Sequence, residues 1–308
     1  MPELPEVETV VRGLRTALPG RCIVSVRLGK TDFIDDPVTL GESLPGRRIA
    51  AVERIGKFIH LQLAPEASNG STHSDAPSHL MVHLGMTGRL VVRAADEPAP
   101  PHTHVYFQLD DGRELRYTDI RRFGQMLLLR DAKIAELRER LGEDALTISA
   151  DEFQRRLAGR RARIKALLLD QSVLRGVGNI YADESLWRAR LHPARLAAKL
   201  KKEDIDRLRQ AVQRVLGDAI RLRGSSISDF VDSNGQPGGY QRWHRVYARE
   251  DEPCYRCHAI IRRVIVAGRS SHFCPRCQPA PRTPGKPPAK RAARTRRTSS
   301  QKRFRRTR

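Results

Sequence analysis

The residues best placed for covalent chemistry stand at the amino end, which reads Met1-Pro2-Glu3-Leu4-Pro5-Glu6. A small second residue such as proline lets the initiator methionine be trimmed, which would leave Pro2 with a free secondary amine. An α-amino group titrates near about 7.7–8.0, against about 10.4 for lysine. A useful fraction is therefore unprotonated at neutral pH and can attack a carbon electrophile. Glu3 and Glu6 supply carboxylates beside it, suited to proton transfer. The same residues also suit an ordinary helix start, with proline in the first turn and acids near the positive end of the macrodipole.

A second constellation lies near the other end. Cys254-x2-Cys257 and Cys274-x2-Cys277 are two knuckles with sixteen residues between them. That spacing matches a tetrahedral four-cysteine zinc site with no position left for water, hence a structural metal. The intervening segment, 260–266 to 271–273, reads as a hairpin too small to fold without the metal. It carries Arg262, Arg263 and Arg269, candidates to grip a phosphate. Cys22 stands apart and is expected to be a buried strand residue. Paired cysteines of this kind suit a reducing cytosol better than disulfides.

Charge indicates the partner. Over 308 residues, 57 Lys+Arg face 35 Asp+Glu, a net charge of +22. Such an excess implies a polyanion, because cations placed against phosphates release counterions. No run of 18 apolar residues occurs, so no membrane span is expected. Residues 279–308 hold twelve Lys/Arg, five prolines and no acid. They are expected to be disordered, serving either as a nucleic-acid-binding tail or as a solubilising extension.

Several short motifs complete a series. After the opening Pro2–Thr9 come Gly56-Lys57-Phe58, His83-Leu84-Gly85-Met86, Asp119-Ile120-Arg121-Arg122-Phe123-Gly124, and Gly176-Val177-Gly178-Asn179-Ile180-Tyr181-Ala182. With the four cysteines they resemble, in order and across roughly residues 2–278, the formamidopyrimidine-DNA glycosylase family. Leu4 and the set Met86, Arg121 and Phe123 resemble its 8-oxoguanine branch.

The resemblance implies a bifunctional repair enzyme acting on duplex DNA. It would excise oxidised purines through a Schiff base on Pro2 and cleave the strand by β- and δ-elimination. Glu3 would shuttle protons, and Glu6 would orient the sugar or the amine. Lys57 would contact phosphate and assist the chemistry, and Arg269 would assist the second elimination. His83, His102, Arg121, Arg160, Lys165 and Asn179 would hold DNA, with the helix start at Asn179 cradling a phosphate on its N–H groups. Met86, Arg121 and Phe123 would fill the gap left by the flipped base. The loop Ser225–Tyr240 would close over that base. A monomer carrying one structural zinc in a bacterial cytoplasm, associated with the nucleoid through DNA, is expected. Two other readings compete: an endonuclease VIII-like enzyme for oxidised pyrimidines, and a zinc-ribbon DNA-binding protein without catalysis.

The elements that must position these residues read as an α+β chain. Residues 5–18 place Val7, Val10, Val11, Leu14 and Leu18 at helical spacing before Pro19-Gly20. Eight alternating segments follow between 23 and 129, predicting a β-sandwich or barrel, with a polar loop at 64–79. Helices are predicted at 133–141, 150–157, 164–169, 179–189 and 202–222. The expected divisions are a β-sandwich domain at 1–133, a helical domain with the family's helix–two-turn–helix at 134–240, a zinc ribbon at 241–278, and the tail.

Overall fold

The computed structural model describes residues 2–64, 78–227 and 230–281. The expected 64–79 loop and the basic tail lie outside these residues except at their edges. Helix α1 (Leu4–Ala17) opens on a proline and closes a capping box between Glu3 and Glu6. Its Val7, Val10, Val11 and Leu14 are fully buried, as the helical spacing requires.

Strand β1 (Ile23–Leu28) leads to a short helix α2 (Pro37–Ser43), then to β2 (Arg48–Ile55), β3 (Phe58–Ala64), β4 (His79–His83), β5 (Arg89–Ala94), β6 (Thr103–Leu109), β7 (Arg113–Thr118) and β8 (Gln125–Leu129). Two antiparallel four-stranded sheets result, with orders β1-β6-β7-β5 and β2-β3-β4-β8. Alternate residues such as Ile59, Leu61, Leu80 and Val82 from one sheet meet Val105, Phe107, Leu115 and Tyr117 from the other in a single core with α1. The strands match those predicted to within a residue or two. Helix α2 was not predicted, because Leu40 is its one buried residue and so it carries no apolar stripe; Asp36 caps it.

Helix α3 (Asp131–Arg140) packs Ile134 against Ile55 and Met81 on the outer face of the second sheet. The division expected after residue 133 therefore falls inside an element that packs with the sandwich. Beyond it come β9 (Glu143–Asp144), α4 (Ala150–Leu157), α5 (Ile164–Leu169), β10 (Leu174–Arg175), α6 (Asn179–Arg188) and α7 (Lys202–Arg221). Strands β9 and β10 form a short parallel pair. Helices α5 and α6, joined by the turns of 170–178, form the helix–two-turn–helix. The α7 stripe of Ile205, Leu208, Val212, Val215, Leu216 and Ala219 is buried in a second core. The hairpin β11 (Arg262–Val266) and β12 (Arg269–Phe273) follows a 3-10 turn at Tyr240–Trp243.

Helix α1 belongs to both halves. Its Leu4 lies in the helical core, while Val7 to Leu14 lie in the sandwich core. Buried Arg54 reinforces the junction, reaching Glu8 of α1 at 3.0 Å and Asp144 of β9 at 2.7 Å. The chemistry-bearing amino end is thus fixed at the seam between the two halves. No helix among the described residues is long and apolar enough to cross a membrane.

Candidate active site

Glu3 is extended and buried, and its carboxylate is turned into the start of α6. It accepts N–H groups from Gly178 at 2.7 Å, Ile180 at 2.8 Å and Tyr181 at 3.3 Å. A helix amino terminus offers such donors together with the positive end of its dipole. The approach depends on glycine: a Cβ on Gly178 would lie 2.4 Å from Glu3 Cδ. Gly176, at φ +103°, would likewise strike Leu4, whose N–H donates to the Gly176 carbonyl at 3.0 Å. The α6 N–H groups expected to cradle a phosphate therefore hold a carboxylate of the protein itself, which corrects that expectation. Asn179 stands beside them, half-buried, and donates to Ser270 Oγ at 3.3 Å.

Glu6 joins the same cluster from one turn further along α1. It accepts the Glu3 N–H at 2.9 Å and the Ser225 N–H at 2.6 Å, and it receives the Tyr181 hydroxyl. Burial, and then the charge of Glu3, push its carboxyl up to about 7. Burial also raises the Glu3 carboxyl, opposed by Lys57 and by the three α6 N–H groups. Pro2 is buried next to this pair.

Lys57 reaches the cluster from the β2–β3 turn, where Gly56 takes φ +60°. Burial draws its ammonium down, Glu3 and Glu6 push it up, and Arg269 opposes them. Glu3, Glu6, Lys57 and Arg269, from three separate parts of the chain, thus form one electrostatic group with Pro2 beside it. His83, at the end of β4, accepts the Gly85 N–H on Nδ1 at 3.1 Å. Burial and then Lys57 lower its pKa to about 4, so the ring is neutral at pH 7 and carries its proton on Nε2, free to donate.

Met86 and Phe123 project from two loops, 39% and 58% exposed. The loops are locked together: a Cβ on Gly85 would lie 2.3 Å from the Phe123 backbone. Buried Asp119 organises them, accepting the Thr87 hydroxyl at 2.5 Å, the Gly124 N–H at 2.9 Å and the Arg121 N–H at 3.3 Å. The Arg121 guanidinium lies over the Phe123 ring at 4.6 Å. His102, exposed at φ 65°, accepts the Asp119 N–H through its carbonyl at 3.0 Å. Arg160 is exposed beyond the end of α4, outside this cluster.

Lys165 departs from its expected role. It is 0% exposed, and its Nζ is spent on Asp183 at 2.7 Å, the Ser270 carbonyl at 2.6 Å and Ser271 Oγ at 2.8 Å. No surface is left to meet DNA. Asp183 in turn accepts the His272 N–H at 2.8 Å. The pair pins β12, and with it Arg269, to the helices.

Loop 225–240 is tied down as well. Phe230 enters the sandwich core, Ser233 accepts the Val92 N–H at 3.4 Å, and Asn234 accepts from Arg93 at 2.9 Å. Residues 228 and 229 lie outside the described residues. Tyr181, Ser225, Asp119 and Asp183 were not singled out from sequence. Only Tyr181 and Asp119 sat inside a quoted motif.

The four cysteine sulfurs lie within 4.8 Å of one another. Three sulfur pairs measure 3.4, 3.5 and 4.0 Å. Zn–S bonds of about 2.3 Å in a tetrahedron put sulfurs roughly 3.8 Å apart, so the cage fits zinc. Backbone N–H groups of Arg256 and Cys277 also point at Cys254 and Cys274 sulfurs, both at 3.4 Å, as suits thiolates. Cys22 is half-buried ahead of β1, outside the cluster.

Three family models match in order. Residues 1–126 match the formamidopyrimidine-DNA glycosylase N-terminal domain, residues 141–231 the formamidopyrimidine-DNA glycosylase H2TH domain, and residues 251–280 the zinc finger found in FPG and IleRS. The chain is 44% identical over 283 residues to the formamidopyrimidine-DNA glycosylase of Herpetosiphon aurantiacus, covering 90% of this chain and all of that one, 100%. It superposes on the Lactococcus lactis FPG in complex with Fapy-dG containing DNA with TM-score 0.79 at 32% identity, covering 90% and 100% of the two chains. MutM in complex with carbocyclic 8-oxo-G containing DNA gives TM-score 0.80 at 32% identity, covering 91% and 100%. The cysteine cage is a structural zinc site.

Proposed function

The chain belongs to the formamidopyrimidine-DNA glycosylase family, and from that membership we propose how its own residues excise oxidised purines. The protein is a DNA glycosylase with abasic-site lyase activity. Once Met1 is removed, the Pro2 nitrogen attacks C1′ of the flipped nucleotide. The C1′–N bond to the damaged base breaks, and the base leaves with a proton. Glu3 delivers a proton to the opening sugar ring, and the nitrogen becomes an iminium joined to C1′. That cation acidifies C2′, so proton loss there expels the 3′ phosphate, and a second elimination expels the 5′ phosphate.

One observation carries the assignment of Glu3: a buried carboxyl, its pKa raised by burial, directly follows Pro2 and is fixed on the α6 terminus. A general acid is most effective when its pKa approaches the working pH. Lys57 and Arg269 supply positive charge for phosphates entering the cluster, and neutral His83 donates through Nε2. Met86 and Phe123 plug the vacated stack, and Arg121 offers donors to the orphaned base. Lys165 acts by positioning β12. The sandwich domain is taken to run through α3, the helical domain from about 142 to 240, and the ribbon from 241 to 278. Cysteines arranged for zinc and a DNA substrate support a cytoplasmic enzyme associated with the nucleoid.

The test combines the amino-terminal mass with borohydride trapping on duplexes containing 8-oxoguanine or thymine glycol. Loss of Met1, trapping on 8-oxoguanine DNA, and loss of excision with retained binding in Glu3→Gln are expected. Retained Met1 with no trapped complex would leave the zinc-ribbon binding reading. Preferential trapping on thymine glycol would favour the oxidised-pyrimidine reading.

A further inference from the structure

A second aromatic and basic site lies at the far end of α6. Asn179 begins that helix beside the cluster, and Arg188 ends it, about 13 Å away at 1.5 Å per residue. There α6, α7 and the 3-10 turn enclose a cavity of about 420 Å³. Four guanidiniums, of Arg188, Arg214, Arg221 and Arg245, line it against two carboxylates, Glu184 and Asp218. Both acids are engaged. Glu184 accepts the N–H groups of Arg245, Val246 and Tyr247, and Asp218 pairs with Arg214 and Arg221. Among the described residues neither Arg188 nor Arg245 forms an ion pair, and the lining holds four guanidiniums against two carboxylates.

The rim is a ladder of rings and guanidiniums. Trp243 and Tyr255 are 53% and 59% exposed. Arg245 stands between them, 5.7 Å from the Trp243 ring and 5.0 Å from that of Tyr255, and Arg249 covers Tyr255 at 3.8 Å. Exposed aromatics grouped on one face mark an interaction site more often than lone ones do. Flat rings alternating with cations suit unpaired bases, which stack on the rings while phosphates meet the guanidiniums. Duplex bases are already stacked on each other and offer no such face. The chain's own tail is an unsuitable occupant, because residues 279–308 hold twelve Lys/Arg and no acid.

We propose that this face binds single-stranded nucleic acid, with a base stacked on Trp243 and phosphates on Arg188 and Arg245. The site is separate from the cleft and independent of lesion excision. It would retain the enzyme near unpaired DNA while the cleft scans duplex.

The test uses the full chain with its cleft filled by a duplex bearing an uncleavable abasic analogue. Labelled short oligothymidylate is titrated in, with an abasic oligomer of equal length as the control. Wild type should bind both DNAs at once and prefer oligothymidylate to the abasic oligomer. Trp243→Ala should weaken oligothymidylate about tenfold or more and erase that preference, while Trp243→Phe keeps it. Excision from duplex should be unchanged in both variants. Displacement of oligothymidylate by the duplex would overturn the proposal, as would equal binding by wild type and Trp243→Ala. Tighter capture of an oligoglutamate peptide than of oligothymidylate would also overturn it and identify a protein-binding face.

Discussion

Glu6 accepts the backbone N–H of Glu3 at 2.9 Å, so two buried carboxylates share one turn at the amino end of α1. Both are held by the helical half: Glu3 by N–H groups at the start of α6, Glu6 by the Tyr181 hydroxyl of the same turn and by the Ser225 N–H. The amino end is thereby oriented by groups more than 170 residues away in sequence.

Protonation of Glu6 should be visible in stability. Its carboxyl is raised from 4.5 to about 7 in the folded state, by burial and then by Glu3. The native state therefore binds more protons than the unfolded state between these values. The stabilisation is full below about 4.5 and is lost as pH rises through about 7, on the order of 3 kcal/mol. Urea unfolding of wild type and Glu6→Gln from pH 5 to 8.5 should show the wild type losing ground as pH rises to about 7 and levelling off above it. Parallel curves would mean that Glu6 does not titrate there.

Lys165 should behave as an anchor. Lys165→Met strands the buried Asp183 and should cost about 3–5 kcal/mol. Lys165→Met combined with Asp183→Asn should recover part of that. DNA affinity should fall with stability while bound zinc remains. A Lys165→Met protein of normal stability with selectively weakened DNA binding would restore a direct contact.

Phe123 should separate function from folding. Because its ring is largely exposed, Phe123→Ala should change stability by less than about 0.5 kcal/mol. Excision of 8-oxoguanine from duplex should fall at least roughly 30-fold, since an empty stack costs a few kcal/mol. Stability and activity falling together would make Phe123 a packing residue instead.

Truncation after Gln278 removes twelve positive charges and no proposed catalytic residue or zinc ligand. Excision at saturating enzyme should persist, while affinity for undamaged duplex falls and its salt dependence becomes shallower. The loss should be larger at low salt. Equal salt slopes for the two proteins would assign the tail to solubility.

The sequence by itself determined what depends on local pattern. Period-two alternation placed the eight strands, the apolar stripes of α1 and α7 placed those helices, and the cysteine spacing specified zinc. Short-range motifs also marked Pro2, Glu3, Lys57, Met86 and Phe123, because glycine-flanked turns and terminal chemistry are written in neighbouring residues. Helix α2 escaped because one buried leucine makes no pattern. Tertiary structure alone decided the partners of the charged groups. Lys165 and Arg269 are both cations in sequence, yet one is buried against Asp183 and the other faces the cluster. The N–H groups at Gly178 and Ile180 could have served a phosphate, but the folded chain delivers Glu3 to them. The physical reason is that desolvation and ion pairing act over a few ångströms in space, whereas these partners are 18 to more than 170 residues apart along the chain. Only the closed seam between the sandwich and the helices brings them within reach.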